Sequence, residues 1–303
     1  MAVTLQAEQF EGVRPDPHLL ITAGVHGDEH VPMHAVRELI RIFRDGTHHQ
    51  SLCGKLTLVP VVNESAFARN HRCGTDDLDL ARTCPGNPDG TVTEQTAHAL
   101  SLLIQSADYY IDLHTGGTGL TVFPLAGYCL HPDEAILGTQ RQMAKAFNLP
   151  FVWGTSAELE GRSLSVARDA KVPAIYVEYL GGLSPCTEGR TACVEGCLNV
   201  MSTLGMLDRD LPANAIEEVV EDSRPQSGHM QICNPAPMTG FLELLVELGQ
   251  KVKTGDPIAS IGSICGNRDC IVKSKQDGRV IVLRTYPVVN EGEAIGVVAE
   301  RTE

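Results

Sequence analysis

The sequence lacks long apolar runs, and no stretch approaches the ~20 consecutive apolar residues that a membrane-spanning helix needs. The first residues also lack a basic segment leading into an apolar core, so a secretory signal peptide is not expected. Basic residues are few, since 24 Lys and Arg stand against 38 Asp and Glu, for a formal net charge of −14. This balance argues against a nucleic-acid partner, and we expect no membrane partner either.

The ten cysteines lack a spacing that would indicate a disulfide framework, because they are scattered through a long chain without a secretory signal. Reduced thiols in a cytoplasmic protein fit this pattern better. The only close pairs are Cys193 with Cys197 and Cys265 with Cys270, and neither supplies a convincing four-ligand zinc set. We therefore expect a cytoplasmic protein in which these cysteines are small core or surface residues.

Apolar runs bounded by turn residues alternate with helix-period segments from residue 18 to about 208. This alternation predicts an α/β fold, with a mostly parallel or mixed sheet and helices on both faces. The predicted strands are 18–23, 55–62, 109–113, 121–125, 151–153 and 174–179, and the predicted helices are 31–43, 93–105, 132–147, 163–169 and 192–207. Ligands of open α/β sheets bind outside the carboxyl ends of the strands, so residues that end strands are the first candidates for a site.

The character of the sequence changes after Arg209, where an acidic and then polar stretch precedes short strands with turns. The segment 252–258 is echoed at 289–295, and such a half-repeat predicts a small all-β, barrel-like unit of two similar halves. This unit resembles the lipoyl or biotinyl carrier fold, but its predicted hairpin tip at 266–269 has no lysine, which disfavours a carrier function. We predict domains at residues 1–210 and 223–303.

His26 and Glu29 lie in Gly24-Val25-His26-Gly27-Asp28-Glu29, between the first predicted strand and the first predicted helix. At the start of a helix the i, i+3 spacing points both side chains the same way, as chelation of a metal requires. The neighbouring glycines allow a tight turn beside an ion. The pattern H-x-x-E also arises by chance on solvated helices, so this motif alone is a weak indication.

A second motif strengthens this indication, because the predicted strand 109–113 leads directly into His114. Strand alternation places Asp112 and His114 on one face. Two histidines and one carboxylate are the three-ligand set of a catalytic zinc, which leaves a fourth position for water. Asp112 is a candidate acceptor for the second nitrogen of a ligand histidine, although a carboxylate that merely closes a strand end is the alternative.

Three further polar side chains follow predicted strands or nearby loops. Arg72 and Arg82 are either surface charges or, near a metal, guanidinium groups suited to a substrate carboxylate or a developing oxyanion. Glu178 ends the apolar part of the predicted strand 174–179, where a carboxylate faces the same strand-end site.

Together these motifs resemble the succinylglutamate desuccinylase/aspartoacylase family, a branch of the zinc carboxypeptidase-like fold. The resemblance covers residues 18 to about 180 and extends to a C-terminal β domain. It rests on G-x-H-G-D-E at 24–29, N-x3-F-x4-R at 63–72, D-L-x-R-x2-P-G at 79–86, D-L-H-T at 112–115 and V-E at 177–178. Five motifs in order are far more specific than any one of them.

The resemblance implies a zinc-dependent deacylase that removes an acyl group from a small N-acyl amino acid or a related N-acyl amine. The implied roles are one Zn²⁺ per chain at His26, Glu29 and His114, general base at Glu178, polarisation of the scissile carbonyl by Arg72, and substrate contacts from Arg82 and Asn63. A zinc carboxypeptidase acting on peptides is the alternative. A binding protein without catalysis is disfavoured by the presence of Glu178, and the sequence leaves open whether the chain forms a homo-oligomer.

Two positions depart from the family pattern. The family commonly has D-L-N-R where this chain has Ala81, so the asparagine that would help hold a terminal carboxylate is absent, and Cys84 stands where an aromatic residue is usual. These changes leave the zinc chemistry untouched and bear on the substrate. Either the preferred substrate lacks a free α-carboxylate at that point, or Arg82 holds the carboxylate with help from another loop.

Overall fold

A computed structural model of the chain describes residues 3–46, 51–181, 186–230, 233–266 and 269–300. The strands are β1 (Glu8–Glu11), β2 (His18–Ala23), β3 (Lys55–Val59), β4 (Tyr109–His114), β5 (Leu120–Cys129), β6 (Phe151–Thr155), β7 (Ala174–Gly181), β8 (Glu218–Glu221), β9 (Gly240–Leu244), β10 (Lys251–Val252), β11 (Pro257–Gly262), β12 (Asp269–Lys273), β13 (Gly278–Arg284), β14 (Val288–Val289) and β15 (Gly296–Glu300). The helices are α1 (His30–Arg44), α2 (Glu64–Arg69), a 3₁₀ helix (Leu80–Arg82), α3 (Val92–Gln105), α4 (Glu134–Phe147), α5 (Ser163–Asp169) and α6 (Thr187–Thr203).

The main sheet is mixed, as the sequence predicts. Its strand order is β1-β3-β2-β4-β7-β5-β13-β10, with β6 beside β5, β8 beside β6 and β15 beside β13. The central strands β3, β2, β4 and β7 are parallel. Strand β1 runs antiparallel to β3, and β5 runs antiparallel to β7 and β13 but parallel to β6. All six residues of β2 are buried, as expected for a parallel strand covered on both faces.

Helices cover both faces of this sheet, which confirms the predicted layered α/β architecture. One core cluster includes apolar residues of α1, α4 and α6, among them Phe43, Phe147 and Met201. A second cluster on the other face includes residues of α3 and α5, such as Leu100 and Leu164. Among the described residues, no helix combines the length and the apolar character needed to cross a membrane.

Local signals explain where several helices begin. Thr91 and Glu94 form a capping box at the start of α3, and the Asp133 side chain accepts from the backbone N–H groups of the first turn of α4. Helix α4 therefore begins at Glu134 rather than at the predicted residue 132. Helix α6 begins five residues earlier than predicted, since the Cys186 sulfur accepts from the backbone N–H of Gly189.

Strand β5 is longer than predicted, and its length explains how the C-terminal strands join the sheet. Its first residues pair with β13, at Leu120–Val122, and its last residues pair with β6, at Leu125–Cys129. Strands β10 and β15 then pair with β13. The sequence segment that was predicted to be a separate β domain therefore extends the main sheet with three of its strands.

The remaining C-terminal strands form a second, four-stranded sheet in the order β12-β11-β9-β14. An all-β C-terminal segment is thus present, while its closure into a barrel and the division at residues 210 and 223 stay predictions. The predicted hairpin tip falls between β11 and β12, and its residues 267 and 268 lie outside the described residues.

The sheet register brings the carboxyl ends of β2, β4 and β7 together. Thr22 of β2 pairs with Asp112 of β4, and His114 at the end of β4 pairs with Glu178 of β7. Predicted site residues from distant parts of the sequence therefore meet at one edge of the sheet, as the rule for open α/β sheets requires.

Candidate metal centre and active site

The three predicted metal ligands come together at this edge. His26 follows β2, Glu29 immediately precedes α1, and His114 ends β4. Each offers one ligand atom, and these atoms all lie within 4.8 Å of one another. The Nδ1 atom of His26 lies 2.7 Å from one carboxylate oxygen of Glu29, and the Nδ1 atom of His114 lies 2.9 Å from the other.

Two glycines allow the backbone to pass this cluster. Gly24 has a φ of +69°, in the region that favours glycine. A Cβ atom at Gly27 would lie 2.0 Å from the backbone of Ala66 in α2, a distance that no side chain tolerates. The glycines of the G-x-H-G-D-E motif therefore permit a turn and a close helix contact that bring His26 into position.

Carboxylates lie against the outer nitrogens of both histidines. Asp79 Oδ1 lies 3.1 Å from His26 Nε2, and Asp112 Oδ2 lies 3.1 Å from His114 Nε2. Asp112 is itself held by the hydroxyls of Thr22 and Ser163, which donate to it over 2.8 Å and 2.5 Å. Both imidazoles thus turn Nδ1 toward the cluster, and the expected contact between Asp112 and His114 is present.

Charge in the cluster is balanced between acids and imidazoles. Burial alone would raise the pKa of Glu29, but His26 and His114 hold it far below its usual range. Burial alone would lower the pKa of His114, but the carboxylates of Asp112 and Glu29 raise it well above its usual value. A divalent cation can replace a proton in such a cluster, because metal binding to histidine releases the proton.

Glu178 faces the cluster from β7, opposite His114 in the sheet register. Its side chain is buried, and its Oε2 atom has no hydrogen-bond partner among the described residues. Burial raises the pKa of Glu178 to about 8, against the opposing effect of His114. A carboxyl group in this state can both accept and return a proton near neutral pH.

Arg72 lies on the other side of the cluster. Its Nε and Nη2 atoms donate to Asp79 Oδ2 over 3.1 Å and 3.0 Å, and its Nη1 atom lies 3.4 Å from His26 Nδ1. Burial alone would lower the pKa of Arg72, but Asp79 raises it, so this guanidinium stays charged.

Two more arginines, Arg82 and Arg162, line the same cavity. Burial, and then the charge of Arg162, lower the pKa of Arg82 to about 10. Burial also lowers the pKa of Arg162, whose Nε atom is buried without a hydrogen-bond partner among the described residues. Arg82 is exposed and Arg162 is half-buried, and two cations side by side at one cavity favour the binding of an anion between them.

Arg162 was not identified from the sequence. It directly precedes α5, and a lone arginine at a helix start has the appearance of an ordinary surface charge. The structure directs the side chain into the cavity because Gly161, with a φ of +78°, lets the segment lie against the backbone of Arg82. The backbone N–H of Cys84 then donates to the Gly161 carbonyl over 3.0 Å.

The cavity has a volume of about 110 Å³ and joins all these groups. Its polar wall contains the candidate ligands, the three arginines and Glu178. Its less polar wall is formed by Val25, Ala81, Leu120, Val122, Cys129, Leu159, Leu164 and Met230. Gly228 and Met230 belong to the segment between β8 and β9, so the C-terminal part of the chain contributes to the wall.

Asn63 is the predicted site residue that the structure does not bring to the cavity lining. It is fully buried and caps α2, where its Oδ1 accepts from the Ala66 backbone N–H over 3.0 Å. The cap uses only Oδ1, and the buried Nδ2 atom has no hydrogen-bond partner among the described residues, so the substrate contact predicted for Asn63 stays a prediction.

Comparison with known proteins points to one family. The model of the Succinylglutamate desuccinylase/Aspartoacylase catalytic domain matches residues 15–203. The N-alpha-acetyl-L-2,4-diaminobutyric acid deacetylase of Halomonas elongata is 30% identical over 295 residues, which cover 95% of this chain and 83% of that protein.

Two solved structures share the fold over nearly the whole chain. The product-bound ectoine utilization protein EutE from Ruegeria pomeroyi is 26% identical with a TM-score of 0.84, over 97% of this chain and 88% of that one. A succinylglutamate desuccinylase from Silicibacter sp. TM1040 is 24% identical with a TM-score of 0.86, over 98% and 89% of the two chains. This second likeness concerns the fold alone.

Proposed function

This chain belongs to the succinylglutamate desuccinylase/aspartoacylase family, and on that basis we propose that it is a zinc-dependent amidohydrolase. Its substrate would be a small N-acyl amino acid or a related N-acyl amine, and its products a carboxylic acid and a free amine. The observation that carries this proposal is the convergence of His26, Glu29 and His114 on one point, beside the buried carboxyl group of Glu178.

The donor set fits zinc. Two imidazole nitrogens and one carboxylate oxygen are the ligands of many catalytic zinc sites, which keep a fourth position open. Both histidines present Nδ1 to the cluster while Asp79 and Asp112 hold Nε2, as expected for ligand histidines. Zinc bound there would supply Lewis-acid activation of water and of the scissile carbonyl.

Glu178 is the proposed general base. Burial raises its pKa in the metal-free protein, and a zinc ion beside it would favour the charged carboxylate, which can take a proton from the attacking water and return it to the leaving amine. Its Oε2 atom, which has no partner in the part of the chain that the structure describes, supports this role, because a buried carboxylate oxygen without a hydrogen bond is costly unless it serves a substrate or a water.

Arg72 is proposed to stabilise the oxyanion that forms when water adds to the amide carbonyl. Its Nη1 atom lies 3.4 Å from His26 Nδ1, and its charge is secured by Asp79. A fixed guanidinium in a buried site stabilises developing negative charge without having to reorganise.

Arg82 and Arg162 are proposed to bind a carboxylate of the substrate. The two neighbouring cations favour an anionic group at this end of the cavity, as does the Nε atom of Arg162, which no described residue contacts by a hydrogen bond. Arg162 lies in a different loop from Arg82, so it offers the additional contact that the absence of asparagine at position 81 calls for. N-acetylated amino acids with a free carboxylate, such as the compound named for the Halomonas elongata relative, are the substrate class that fits these groups.

The rival function is a carboxypeptidase that acts on peptides with the same ligand set. The segment containing Gly228 and Met230 forms one wall of the cavity, and the cavity is small. A site that receives peptides needs an open groove, so the enclosed wall favours small substrates.

A deacylation screen tests the proposed function. Purified zinc-loaded protein is incubated with N-acetyl, N-succinyl and N-formyl amino acids and diamines, and with short peptides, and amine release is measured. We expect turnover of at least one small acylated compound, lost in the Glu178→Gln variant. Hydrolysis of the peptides alone, at their C-terminal bond, would overturn the proposal in favour of the carboxypeptidase.

A further inference from the structure

The carboxylate of Asp79 lies between a proposed metal ligand and the proposed oxyanion arginine. One of its oxygens, Oδ1, lies 3.1 Å from His26 Nε2. The other, Oδ2, accepts from both Nε and Nη2 of Arg72, over 3.1 Å and 3.0 Å. One side chain therefore touches two groups that must be oriented relative to each other.

Asp79 also makes a third contact, to the backbone. Its Oδ1 accepts from the backbone N–H of Ala81 over 3.0 Å, which caps the 3₁₀ helix that ends in Arg82. The cap fixes Asp79 to a three-residue element, two of whose members, Ala81 and Arg82, line the cavity. The side chain is thus anchored by its own local structure before it reaches His26 and Arg72.

These contacts have separate physical consequences. An acceptor at Nε2 of an imidazole keeps the proton on that nitrogen and leaves the Nδ1 lone pair for a metal. A carboxylate that accepts from two nitrogens of one guanidinium fixes the plane of that group as well as its distance. Removing the carboxylate should therefore disturb the metal affinity through His26 and the turnover through Arg72.

We propose that Asp79 is a positioning residue that orients His26 for metal binding and Arg72 for the substrate carbonyl at the same time. This role rests on the proposed function. It explains why an aspartate begins the D-L-x-R motif, to which the sequence assigned only the arginine.

The first test measures zinc affinity, which needs no substrate. Metal-free wild-type protein and the Asp79→Asn variant are titrated with zinc in competition with a chelating dye. Asparagine keeps the size of the side chain and an oxygen for the Ala81 cap, but it lacks the charge. The retained oxygen can still accept from His26 Nε2, so the effect reports the missing charge. We expect affinity about 10- to 100-fold below wild type, the usual effect of mutating the partner of a ligand histidine.

The matched control is Asp133→Asn. Asp133 caps α4 with its Oδ1 atom, as Asp79 caps the 3₁₀ helix, and it is not part of the cavity lining. This variant should bind zinc like wild type. Thermal unfolding of the metal-free proteins shows whether either substitution damages the fold, and equal melting of Asp79→Asn and Asp133→Asn identifies a loss of zinc affinity as local.

The second test separates the effect that passes through His26 from the effect that passes through Arg72. It uses Arg72→Ala and the double variant Asp79→Asn/Arg72→Ala, assayed at saturating zinc. Asp79→Asn should lower kcat by a larger factor than it changes KM, and this effect on kcat should shrink in the Arg72→Ala background. The loss of zinc affinity should persist in that background, because it passes through His26.

Each outcome bears on a different claim. Wild-type zinc affinity in Asp79→Asn would overturn the positioning role of Asp79 while leaving the proposed function intact. If Asp79→Asn lowers kcat equally in the wild-type and the Arg72→Ala backgrounds, the claim that Asp79 orients Arg72 is overturned. Failure of the wild-type protein to bind zinc at all would overturn the proposed function, and the positioning role with it.

Discussion

At the scale of single residues, the chemistry of the site depends on which nitrogen each histidine turns toward the cluster. Both His26 and His114 turn Nδ1 toward Glu29, and both have an aspartate at Nε2. The two ligands reach this arrangement from different elements, a turn after β2 and the end of β4. Their similar surroundings support a shared role as metal ligands.

Loss of His114 should therefore abolish zinc binding. We expect His114→Ala to fall from about one zinc per chain to nearly none, because two remaining ligands form a poor site. Metal analysis after dialysis measures the content. His98→Ala, which removes a histidine of α3 outside the cavity lining, should retain full zinc. Full zinc content in His114→Ala would place the metal elsewhere.

Replacement of Glu178 should separate binding from turnover. Glu178→Gln keeps the shape of the side chain but cannot accept the proton of water, so turnover should fall by roughly 10² to 10⁴. Zinc content and melting temperature should remain close to wild type. Steady-state kinetics with the substrate found by screening measure the effect, and turnover near wild type would show that the base lies elsewhere.

Arg82 and Arg162 should matter only for substrates with a free carboxylate. We expect Arg162→Ala and Arg82→Ala to raise KM for an acylamino acid about tenfold or more, since a hydrogen bond to a charged group contributes roughly 1.5 to 3 kcal/mol. The matching carboxamide should be little affected, and Arg44→Ala, at an exposed ion pair with Glu8, serves as the control.

Position 81 refines this expectation. If the absence of asparagine at position 81 weakens binding of the substrate carboxylate, Ala81→Asn should lower KM for the acylamino acid. Strong preference for the free carboxylate in wild type, abolished by Arg82→Ala and not improved by Ala81→Asn, would show that this departure from the family pattern has no effect.

The residues that could be predicted from the sequence are those whose chemistry is visible in a motif. His26, Glu29, His114, Glu178, Arg72 and Arg82 all line one cavity. Asp79 and Arg162 could not be assigned, because the role of an acceptor or a lone guanidinium depends on what folds against it. Asn63 belongs to a motif, and its Oδ1 caps α2, a helix that was not predicted, so its contact with a substrate stays a prediction.

At the scale of elements, strand and helix types followed from hydrophobic periodicity, whereas boundaries depended on local contacts. Strand β2 and helix α5 match their predicted bounds. Strand β3 ends three residues before its predicted end, and β5 runs four residues past its own. The extension of β5 depends on partners in β6 and β7, which lie far away in the sequence.

One contact between elements should make stability depend on pH. Glu221 of β8 accepts from Arg141 of α4 over 2.7 Å and 2.8 Å, and from the Tyr128 hydroxyl over 2.7 Å. The hydrogen bonds from Arg141 lower the pKa of Glu221, despite partial burial. A depressed pKa stabilises the fold above the pKa of the unfolded chain, about 4.3, and the effect disappears as the pH falls below it.

Glu221→Gln should therefore lower the free energy of unfolding at pH 7 by about 1 kcal/mol, a value reduced for partial solvent exposure. The difference from wild type should shrink between pH 5 and pH 2. Urea unfolding of the metal-free proteins measures it. Glu195→Gln, at a surface ion pair with Arg209, should change stability by less than about 0.5 kcal/mol. A difference that grows toward low pH would contradict the assignment.

At the scale of the whole molecule, the segment between β8 and the second sheet forms part of the cavity wall. Ser227 accepts from the Ser156 backbone N–H over 2.7 Å, and Gly228, with a φ of +82°, passes close to Thr155. These contacts hold the following residues against the end of β6. The C-terminal part of the chain thus contributes to the wall of the site without supplying its proposed catalytic groups.

Met230 is the large apolar side chain that this segment places in the wall. Shortening it in Met230→Ala should make room for longer acyl groups or amines, because one methylene in an apolar pocket changes selectivity by roughly tenfold or more. We divide kcat/KM for a longer substrate by kcat/KM for its shortest homologue. This ratio should rise about tenfold in the variant. Assays along a series of N-acyl chain lengths, each on the same amine, measure this ratio.

Met238→Ala is the matched control for this prediction. Met238 also lies in the C-terminal part of the chain, but it packs against the core of the four-stranded sheet and does not line the cavity. If the substitutions merely loosened this region, the ratio would rise in both variants. If Met230 limits the substrate as part of the wall, the ratio rises only in Met230→Ala. An unchanged ratio in Met230→Ala, with zinc content and turnover of the shortest substrate preserved, would show that substrate size is limited elsewhere.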